Sequence, residues 1–529
     1  MRFSTLPIRC RRHGPPVLAA LLGGLLYAVW RPPSTDLATQ RFRSTLFGRS
    51  GFSVWDNQWF GGHHLPGYSL LAPVGGWLIG PELLGIVATV GVALGASVLC
   101  HRLAGRDSSL ASPTGAAVLL TLGALASLYG GRIAFLLGTA FGVAALVASL
   151  QSHPTRTPVV TAALALCCAM SSPVAGMFVA IIGCATALSG AVPRRTALAL
   201  TVPPLVLVGS LWVLFPDGGD FPFPLGGAIN AVLVAGVVAV AGWRFISLRW
   251  ACLGYVGLCL IVLAIDTPIG GNAARLGALA GPPLLALLIQ RRALVAVLLV
   301  PLIALQWSPI SLALTGDRAQ TESAFYTPLL DTLALLPQPL RVEVVPVASH
   351  DESNFVALQY PIARGWHRQL DRKYNPLFFA DQLDAETYRQ WLVDNGVSVV
   401  AIATTKLDSA GTLERTLLAH PPSYLVPLAT GGVWRVFQVV PAPVLADHGA
   451  TLTSIGVGSF TLEVPSPTAT PEPITVKIRF SPYFRVTHGD ACVFEAADGW
   501  TNVVASTPGR VTVRASLSLR ALFDRDGDC

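Results

Sequence analysis

An apolar run followed by a long polar loop opens the chain and decides how the rest is interpreted. The run is VLAALLGGLLYAVW at residues 17–30, and the loop is RPPSTDLATQRFRSTLFGRSGFSVWDNQWFGGHHLPGY at residues 31–68. No small-residue cleavage site follows the run, so it predicts an uncleaved membrane span and not a signal peptide. Ionisable and aromatic side chains are costly to hold beside a bilayer unless they have a function there. The loop is therefore the first place to look for a site.

The composition of the whole chain is that of a multispan membrane protein. Of its 529 residues, 52% are hydrophobic and 12% are charged, whereas soluble domains carry about 25% charged residues. The net charge of +7 comes mostly from small basic groups between apolar runs, which is typical of cytoplasmic loops. This distribution argues against nucleic acid as a partner and makes the lipid bilayer the expected environment.

Ten further apolar runs predict about eleven α-helical spans within residues 1–315. They lie at 83–100, 110–128, 133–150, 159–170, 174–188, 197–215, 228–242, 251–265, 276–290 and 293–314. A cytoplasmic N-terminus places most of the basic groups between runs inside the cell. Eleven crossings then place the C-terminal part outside the plasma membrane. The 159–188 segment predicts either two spans or a re-entrant hairpin, because Ser171, Ser172 and Pro173 interrupt it.

The pattern after the last span predicts two extracytoplasmic domains. Residues 316–440 combine a strand at 342–347, a helix at 385–395 after a capping Asp384, and a strand at 397–403, which indicates an α/β domain. Residues 441–529 contain short strands separated by turns, which indicates a β-sandwich. Cys492 and Cys529 lie in this outer region, and an oxidising compartment would allow them to pair as a disulfide.

Asp36 is the candidate catalytic residue. It lies six residues after Trp30, so its carboxylate is expected at the membrane interface, where it would act as a general base on an acceptor hydroxyl. The alternative is structural: Ser34, Thr35 and Asp36 also form a good N-terminal cap for a helix over residues 37–47.

Asp56, His63 and His64 in the same loop are candidate substrate-binding residues. Asp36, Asp56 and His63 also have the ligand chemistry for a divalent cation such as Mg²⁺ or Mn²⁺. Their spacing matches no fixed metal motif, so direct substrate contact is favoured. The remaining alternative places both histidines at the interface, beside an aromatic belt.

Arg132 and Arg275 are candidate ligands for a phosphate, because arginine suits bidentate recognition of that group. Each lies at the edge of a predicted span and near a pair of glycines, Gly130 with Gly131 and Gly270 with Gly271. Glycine would allow the backbone to approach a ligand closely.

In the outer α/β domain, Arg364, Trp366 and Arg368 are candidates for the wall of an acceptor site. Aromatic side chains interleaved with hydrogen-bond donors suit a sugar or a lipid phosphate. A charged domain surface facing the membrane would produce the same pattern.

Taken together, these features resemble the GT-C superfamily of polyprenyl-phosphate-dependent glycosyltransferases. The resemblance lies in the first span, the long loop with an early acidic residue, HLPGY at 64–68, the many spans and the large C-terminal region. More narrowly, four stretches resemble uncharacterised membrane proteins named for a pyruvoyl-tetrahydropterin-synthase-related domain: RVEVV from Arg341, HDE from His350, ARGWHRQLD from Ala363 and YNPLF from Tyr374.

The resemblance implies a sugar donor linked to polyprenyl phosphate, an active site on the outer face and Asp36 as base or metal ligand. Many members carry paired acidic residues in the loop, whereas Thr35 and Leu37 flank Asp36 here. The expected function is transfer of a sugar to an envelope glycan or lipid by single displacement. The alternatives are a flippase or transporter for a lipid-linked substrate, which should carry ionisable residues within several spans, and a non-catalytic scaffold for envelope assembly.

Overall fold

The computed structural model describes residues 8–305, 307–429, 432–465, 472–518 and 529. The chain divides into two compact units, each built from several segments. Unit 1 comprises Met1–Ser44, Gly67–Val213 and Gly218–Gly316. Unit 2 comprises Thr45–Pro66, Leu214–Asp217 and Asp317–Cys529.

The regular secondary structure in the described residues of unit 1 is helical. Its helices are α1 (Ile8–Trp30), α2 (Leu37–Ser50, whose C-terminal part belongs to unit 2), α3 (Ala72–Ile79), α4 (Pro81–Arg106), α5 (Pro113–Tyr129), α6 (Ile133–Ser149), α7 (Arg156–Ser171), α8 (Pro173–Ser189), α9 (Arg194–Leu214), α10 (Leu225–Ala241), α11 (Ile246–Ala264), α12 (Ala274–Leu288), α13 (Arg292–Leu305) and α14 (Trp307–Thr315). Each predicted apolar run falls on one of these helices or, for the last run, on α13 and α14.

Four of the described helical segments are long and apolar enough to cross a membrane: His13–Trp30, Pro81–Arg106, Arg194–Leu214 and Ile246–Ala264. Five further apolar helices, α5, α6, α7, α8 and α10, are shorter than this length. These helices agree with a mostly helical membrane protein. The count of eleven crossings and the side on which each terminus lies stay predictions.

Small side chains contribute much of the close packing between the helices of unit 1, beside larger buried residues such as Leu84 and Val92. In α4, Gly85, Ala88 and Ala96 are buried, whereas Val87 and Leu94 are exposed. Soluble proteins bury their large apolar residues, but helices in a bilayer associate through small residues that let their backbones approach. Buried hydroxyl groups donate to carbonyls four residues earlier: Thr89 to Gly85, Thr121 to Ala117 and Thr139 to Phe135.

The 159–188 segment forms two helices, α7 and α8, that meet at Ser172. The Ser172 hydroxyl accepts a hydrogen bond from the Ala175 N–H, which caps α8. A Cβ at Gly176 would lie 2.6 Å from Cβ of Ala169. The glycine therefore allows the two helices to pack closely, and whether both cross the membrane stays a prediction.

Unit 2 combines short helices with thirteen described strands. Its helices are α15 (Ser323–Ala334), α16 (Glu352–Phe355), α17 (Arg368–Tyr374), α18 (Ala385–Asp394) and α19 (Thr412–Leu418). Its strands are β1 (Trp55–Asp56), β2 (His63–His64), β3 (Val342–Val344), β4 (Val399–Ala403), β5 (Leu425–Ala429), β6 (Trp434–Val439), β7 (Thr451–Gly456), β8 (Ser459–Val464), β9 (Ile474–Arg479), β10 (Phe484–His488), β11 (Ala491–Glu495), β12 (Trp500–Ala505) and β13 (Gly509–Ala515).

The first part of the C-terminal region is an α/β fold. Its sheet has the order β3-β4-β6-β5, with β3 and β4 parallel and the other pairs antiparallel. Helix α18 begins after Asp384, whose carboxylate accepts hydrogen bonds from two first-turn N–H groups, and ends before Gly396, whose φ is +64°. The predicted helix and its cap agree with this geometry. Helix α18 contributes Tyr388 and Leu392 to the core beneath the sheet.

The last part consists of antiparallel sheets with alternating burial. One sheet has the order β10-β13-β8-β7 and the other β11-β12-β9. In β9, Ile474, Val476 and Ile478 are buried while the residues between them are partly exposed, which is the period expected for a strand with one buried face. The short strands predicted within residues 441–529 are present as β7 to β13. A disulfide bond joins Cys492 to Cys529.

The first polar loop is divided between the two units, whereas the predicted domain boundaries assigned all of residues 31–68 to the membrane domain. Residues 45–66 belong to unit 2. The Asn57 N–H donates to the Val457 carbonyl, and the Gln58 carbonyl accepts from the Ile362 N–H. Trp59 is fully buried and is not part of an interfacial aromatic belt. Composition could not reveal these backbone partners, because they lie hundreds of residues away.

Candidate functional site

Three of the predicted site residues lie together in unit 1. Oδ2 of Asp36 is 3.5 Å from Nε of Arg132 and 3.9 Å from Nη2 of Arg275. Their side chains are 16%, 26% and 23% exposed, respectively. The cluster is therefore accessible but partly shielded from water, which strengthens the attraction between opposite charges.

Each of the three residues lies at the start of a helix. Asp36 directly precedes α2, Arg132 directly precedes α6, and Arg275 is the second residue of α12. Helix N-termini carry partial positive charge and N–H groups without intrahelical partners. Two guanidinium groups beside three helix starts give the cluster an excess of positive charge, which suits an anion with several oxygen atoms.

Glycine residues bring these segments together. Gly131 has a φ of +72°, and a Cβ there would lie 2.4 Å from the Leu37 nitrogen and 2.6 Å from Ser34 Oγ. Gly270 has a φ of +39°, and its Cβ would lie 1.5 Å from the Phe221 carbonyl oxygen. Both glycines were expected to admit a ligand. In the structure they instead admit neighbouring backbone, and Gly131 thereby holds Arg132 beside Asp36.

Helix α2 supplies further polar side chains to this region. Nε2 of Gln40 donates a 2.8 Å hydrogen bond to the Tyr68 hydroxyl, and the Arg43 guanidinium lies 4.9 Å from the centre of the Tyr68 ring. Burial, with the Asp36 carboxylate, raises the pKa of Tyr68 to about 12, so its hydroxyl stays protonated. No expectation for Gln40 came from the sequence, although its spacing from Asp36 places both residues on one face of a helix.

Two buried polar atoms in the cluster make no hydrogen bond within the described residues. They are Ser34 Oγ and Arg132 Nε. Buried polar groups in native proteins nearly always have a hydrogen-bond partner. Both atoms therefore keep unused hydrogen-bonding capacity, and Arg132 Nε is the one that faces Asp36.

The other predicted loop residues are packed inside unit 2. Asp56 and His63 are fully buried, with Oδ2 and Nδ1 3.9 Å apart. His64 Nδ1 is 2.6 Å from Oδ1 of Asp217, and the His64 N–H donates a 2.8 Å bond to Oδ2 of the same residue. Both carboxylate oxygens of Asp217 thus contact His64, whereas Asp56 and His63 face each other beyond hydrogen-bond distance. A substrate role for the three loop residues stays a prediction.

The surroundings of Asp36 fit an anion better than a metal cation. The described ranges contain no group of three or more His, Cys, Asp and Glu side chains arranged to hold a metal ion. The ionic neighbours of Asp36 within 4 Å are Arg132 and Arg275, and guanidinium groups repel a divalent cation. The prediction of Mg²⁺ or Mn²⁺ held by Asp36, Asp56 and His63 gains no support from this geometry.

Arg364, predicted in the wall of an acceptor site, is 1% exposed at its side chain. Nε and Nη2 donate to the two Asp371 carboxylate oxygens at 2.9 and 2.7 Å, and Nη1 donates to Glu414 at 2.8 Å. Burial raises the pKa of Glu414 to about 7 despite Arg364, and burial with the nearby Glu414 raises the pKa of Glu343. The guanidinium is thus occupied by the protein, which explains its position without a substrate.

Trp366 and Arg368 keep more exposed surface than Arg364. Arg368 pairs with Asp408, whose Oδ2 lies 3.3 Å from Nε2 of His350. His350 Nδ1 lies 3.4 Å from Glu352. Burial alone would lower the pKa of His350, but Asp408 and Glu352 raise it to about 10. A substrate role for Trp366 and Arg368 stays a prediction.

No protein-family model matches this chain, and no curated protein matches it at a significant level. The likeness to the GT-C superfamily therefore stays a hypothesis carried by the motifs quoted above, and a function must be argued from the Asp36 cluster.

Arg364 and Arg368 allow a matched comparison between a fully buried arginine and a partly exposed one. Arg364→Ala leaves the buried side chains of Asp371 and Glu414 without their cation, so it should lower the free energy of unfolding of unit 2 by about 3–5 kcal/mol. Arg368→Ala should cost about 1 kcal/mol or less. Hydrogen exchange of the β4 and β6 amides in the full-length protein, held in lipid nanodiscs, measures both losses. Equal, small losses for the two variants would contradict a structural role for Arg364.

The His350 ion pairs predict a stability that depends on pH. The folded-state pKa of His350, about 10, exceeds the ordinary histidine value of about 6.5. Its contribution is therefore complete below pH 6.5 and is lost as the pH rises towards 10. His350→Asn tolerates the positive φ of +59° but removes the charge, so its deficit in thermal midpoint should be large at pH 6.5 and small at pH 10.

The exposed His420 provides the control for this comparison. His420→Asn makes the same chemical change outside the carboxylate cluster and should shift the thermal midpoint little at either pH. A deficit for His350→Asn that is the same at both pH values would show that its charge does not stabilise unit 2.

Proposed function

We propose that this protein is an integral membrane glycosyltransferase of the GT-C type, which moves a sugar from a polyprenyl-phosphate donor to an envelope glycan or lipid. The observation that carries the proposal is the Asp36 cluster in unit 1. It combines a carboxylate able to accept a proton with Arg132 and Arg275, both suited to a phosphate, in one partly exposed group.

In the proposed reaction, Arg132 and Arg275 hold the donor phosphate. Asp36 accepts the proton of an acceptor hydroxyl, and the oxygen of that hydroxyl attacks the anomeric carbon of the sugar. The bond between the anomeric carbon and the phosphate oxygen breaks as the glycosidic bond forms, so the configuration inverts. The electron pair of the broken bond stays on the polyprenyl phosphate, and Asp36 later releases its proton to water.

The two arginines supply the electrostatic part of this mechanism. Negative charge develops on the phosphate oxygen as the bond to the sugar breaks, and fixed positive groups stabilise that charge without reorganising. Phosphate stabilised in this way is a good leaving group, so a second carboxylic acid is not required. This agrees with the position of Asp36 between Thr35 and Leu37, where it has no adjacent acidic residue.

The proposal includes a membrane topology with more spans than the four long apolar helices. We place the Asp36 cluster at the outer face of the plasma membrane, with about eleven spans, a cytoplasmic N-terminus and an extracytoplasmic C-terminal region. The disulfide between Cys492 and Cys529 supports the last point, because disulfides persist in oxidising compartments.

The proposal predicts which substitutions abolish transfer. Asp36→Asn should lower the rate by about 10²–10⁴-fold, the usual contribution of a general base. Arg132→Gln and Arg275→Gln should each lower it by about 10²–10³-fold, because each removes charge stabilisation of the leaving phosphate. The assay measures transfer of labelled sugar from a panel of polyprenyl-phosphate donors to envelope-derived acceptors by full-length protein in nanodiscs.

Two substitutions at the far end of α4 control for net charge and folding. Arg106 donates to the Leu150 carbonyl and Asp107 accepts a hydrogen bond from the Ser109 N–H. Because both residues have partners outside the cluster, Arg106→Gln and Asp107→Asn should leave transfer unchanged. Absence of wild-type transfer with every donor, or full activity in all three cluster variants, would refute the proposed enzyme.

A further inference from the structure

Asp36 lies where a bound phosphate would be expected. Arg132 Nε and Arg275 Nη2 are both nearest to the same carboxylate oxygen, Oδ2. Two guanidinium groups that face one anionic oxygen form the kind of arrangement that binds a phosphate oxygen. A carboxylate and a phosphate cannot occupy this position together, because both are anions.

From this geometry we infer that the Asp36 carboxylate occupies the position of the donor phosphate in the free protein and is displaced when the phosphate binds. Phosphate binding itself then frees the carboxylate to act as base. The inference rests on the proposed function and deepens it, because it names the group that the cluster recognises and the order of events. An oxygen held between two guanidinium groups is not available to take an acceptor proton. Displacement makes it available only when a donor is in place.

The ion pairs are loose enough to exchange. Distances of 3.5 and 3.9 Å exceed the roughly 2.7–2.9 Å of a charge-assisted hydrogen bond. Arg132 Nε makes no hydrogen bond within the described residues. A phosphate, with several oxygen atoms, can approach both guanidinium groups at hydrogen-bond distance, which one carboxylate oxygen does not do here.

Other contacts hold the cluster in place when Asp36 is displaced. The Arg275 guanidinium lies 5.3 Å from the centre of the Phe135 ring, and Gly131 fixes the backbone next to Arg132 against the start of α2. The second carboxylate oxygen of Asp36, Oδ1, accepts a 3.1 Å hydrogen bond from the Thr35 hydroxyl. The arginines are therefore positioned before the phosphate arrives, and Thr35 keeps a hydrogen bond to Asp36 that does not depend on them.

The experiment measures binding and requires no sugar transfer. Native mass spectrometry of full-length protein in nanodiscs of neutral lipid gives the dissociation constant of a polyprenyl monophosphate that carries no sugar. Asp36→Asn removes the competing anion and should tighten binding about fivefold, the equivalent of an ion pair worth about 1 kcal/mol. Asp107→Asn makes the same change in charge at the residue that follows α4, outside the cluster, and should leave the dissociation constant unchanged.

Two further probes separate the sources of phosphate. Inorganic phosphate should compete with the lipid for wild-type protein, and more strongly for Asp36→Asn, if the cluster recognises the phosphate group. Polyprenol, which has the same chain without phosphate, should bind wild type and Asp36→Asn equally. Tighter polyprenol binding to Asp36→Asn would overturn the inference, since the gain would then come from the chain and not from the phosphate.

A double-mutant cycle tests whether the gain passes through Arg132. Asp36→Asn should tighten binding less when it is combined with Arg132→Gln and compared with Arg132→Gln alone, because the pairing of Asp36 with Arg132 is then already lost while its pairing with Arg275 remains. Unchanged or weaker binding by folded Asp36→Asn would overturn the inference, and Asp36→Ser serves as the second variant if the first does not fold. Tighter binding without wild-type transfer would support displacement and refute the enzyme. Transfer by wild type without tighter binding by Asp36→Asn would support the enzyme and refute displacement.

Discussion

The attraction between Asp36 and two arginines is the interaction on which the functional interpretation of this structure depends. Charged groups are costly beside hydrocarbon, and this chain is poor in them, yet Asp36, Arg132 and Arg275 meet from three distant parts of unit 1. Their position at the starts of α2, α6 and α12 adds the partial positive charge of helix N-termini. The result is a concentrated positive site whose own anion is held loosely.

The Asp36 cluster differs from the charged groups of unit 2 in how many hydrogen bonds its arginines make to the protein. Arg364 is buried and donates to two carboxylates at short distances. Its N–H groups are therefore used within the protein and not offered to a ligand. Arg132 and Arg275 keep about a quarter of their side-chain surface exposed and face one oxygen at longer distances. The same residue type is therefore structural in one unit and suited to a ligand in the other.

Local sequence patterns could predict the elements and several site residues, but not most of the contacts. Hydrophobic runs located the helices, and Asp384 located the start of α18, because periodicity and capping are local properties. Asp36, Arg132 and Arg275 were each found from their position beside an apolar run, but only folding shows that they meet. The burial of Asp56 and His63 in unit 2 depends on partners far along the chain, and so does the pairing of Arg364 with Glu414.

The most direct measurement is a structure of the full-length protein in lipid nanodiscs with a non-transferable analogue of a polyprenyl-phosphate sugar. The proposed function predicts the phosphorus atom between Arg132 and Arg275, with both guanidinium groups at hydrogen-bond distance and the Asp36 carboxylate turned towards the anomeric carbon. An analogue bound elsewhere, with Asp36 still facing both arginines, would contradict the claim that this cluster is the donor site.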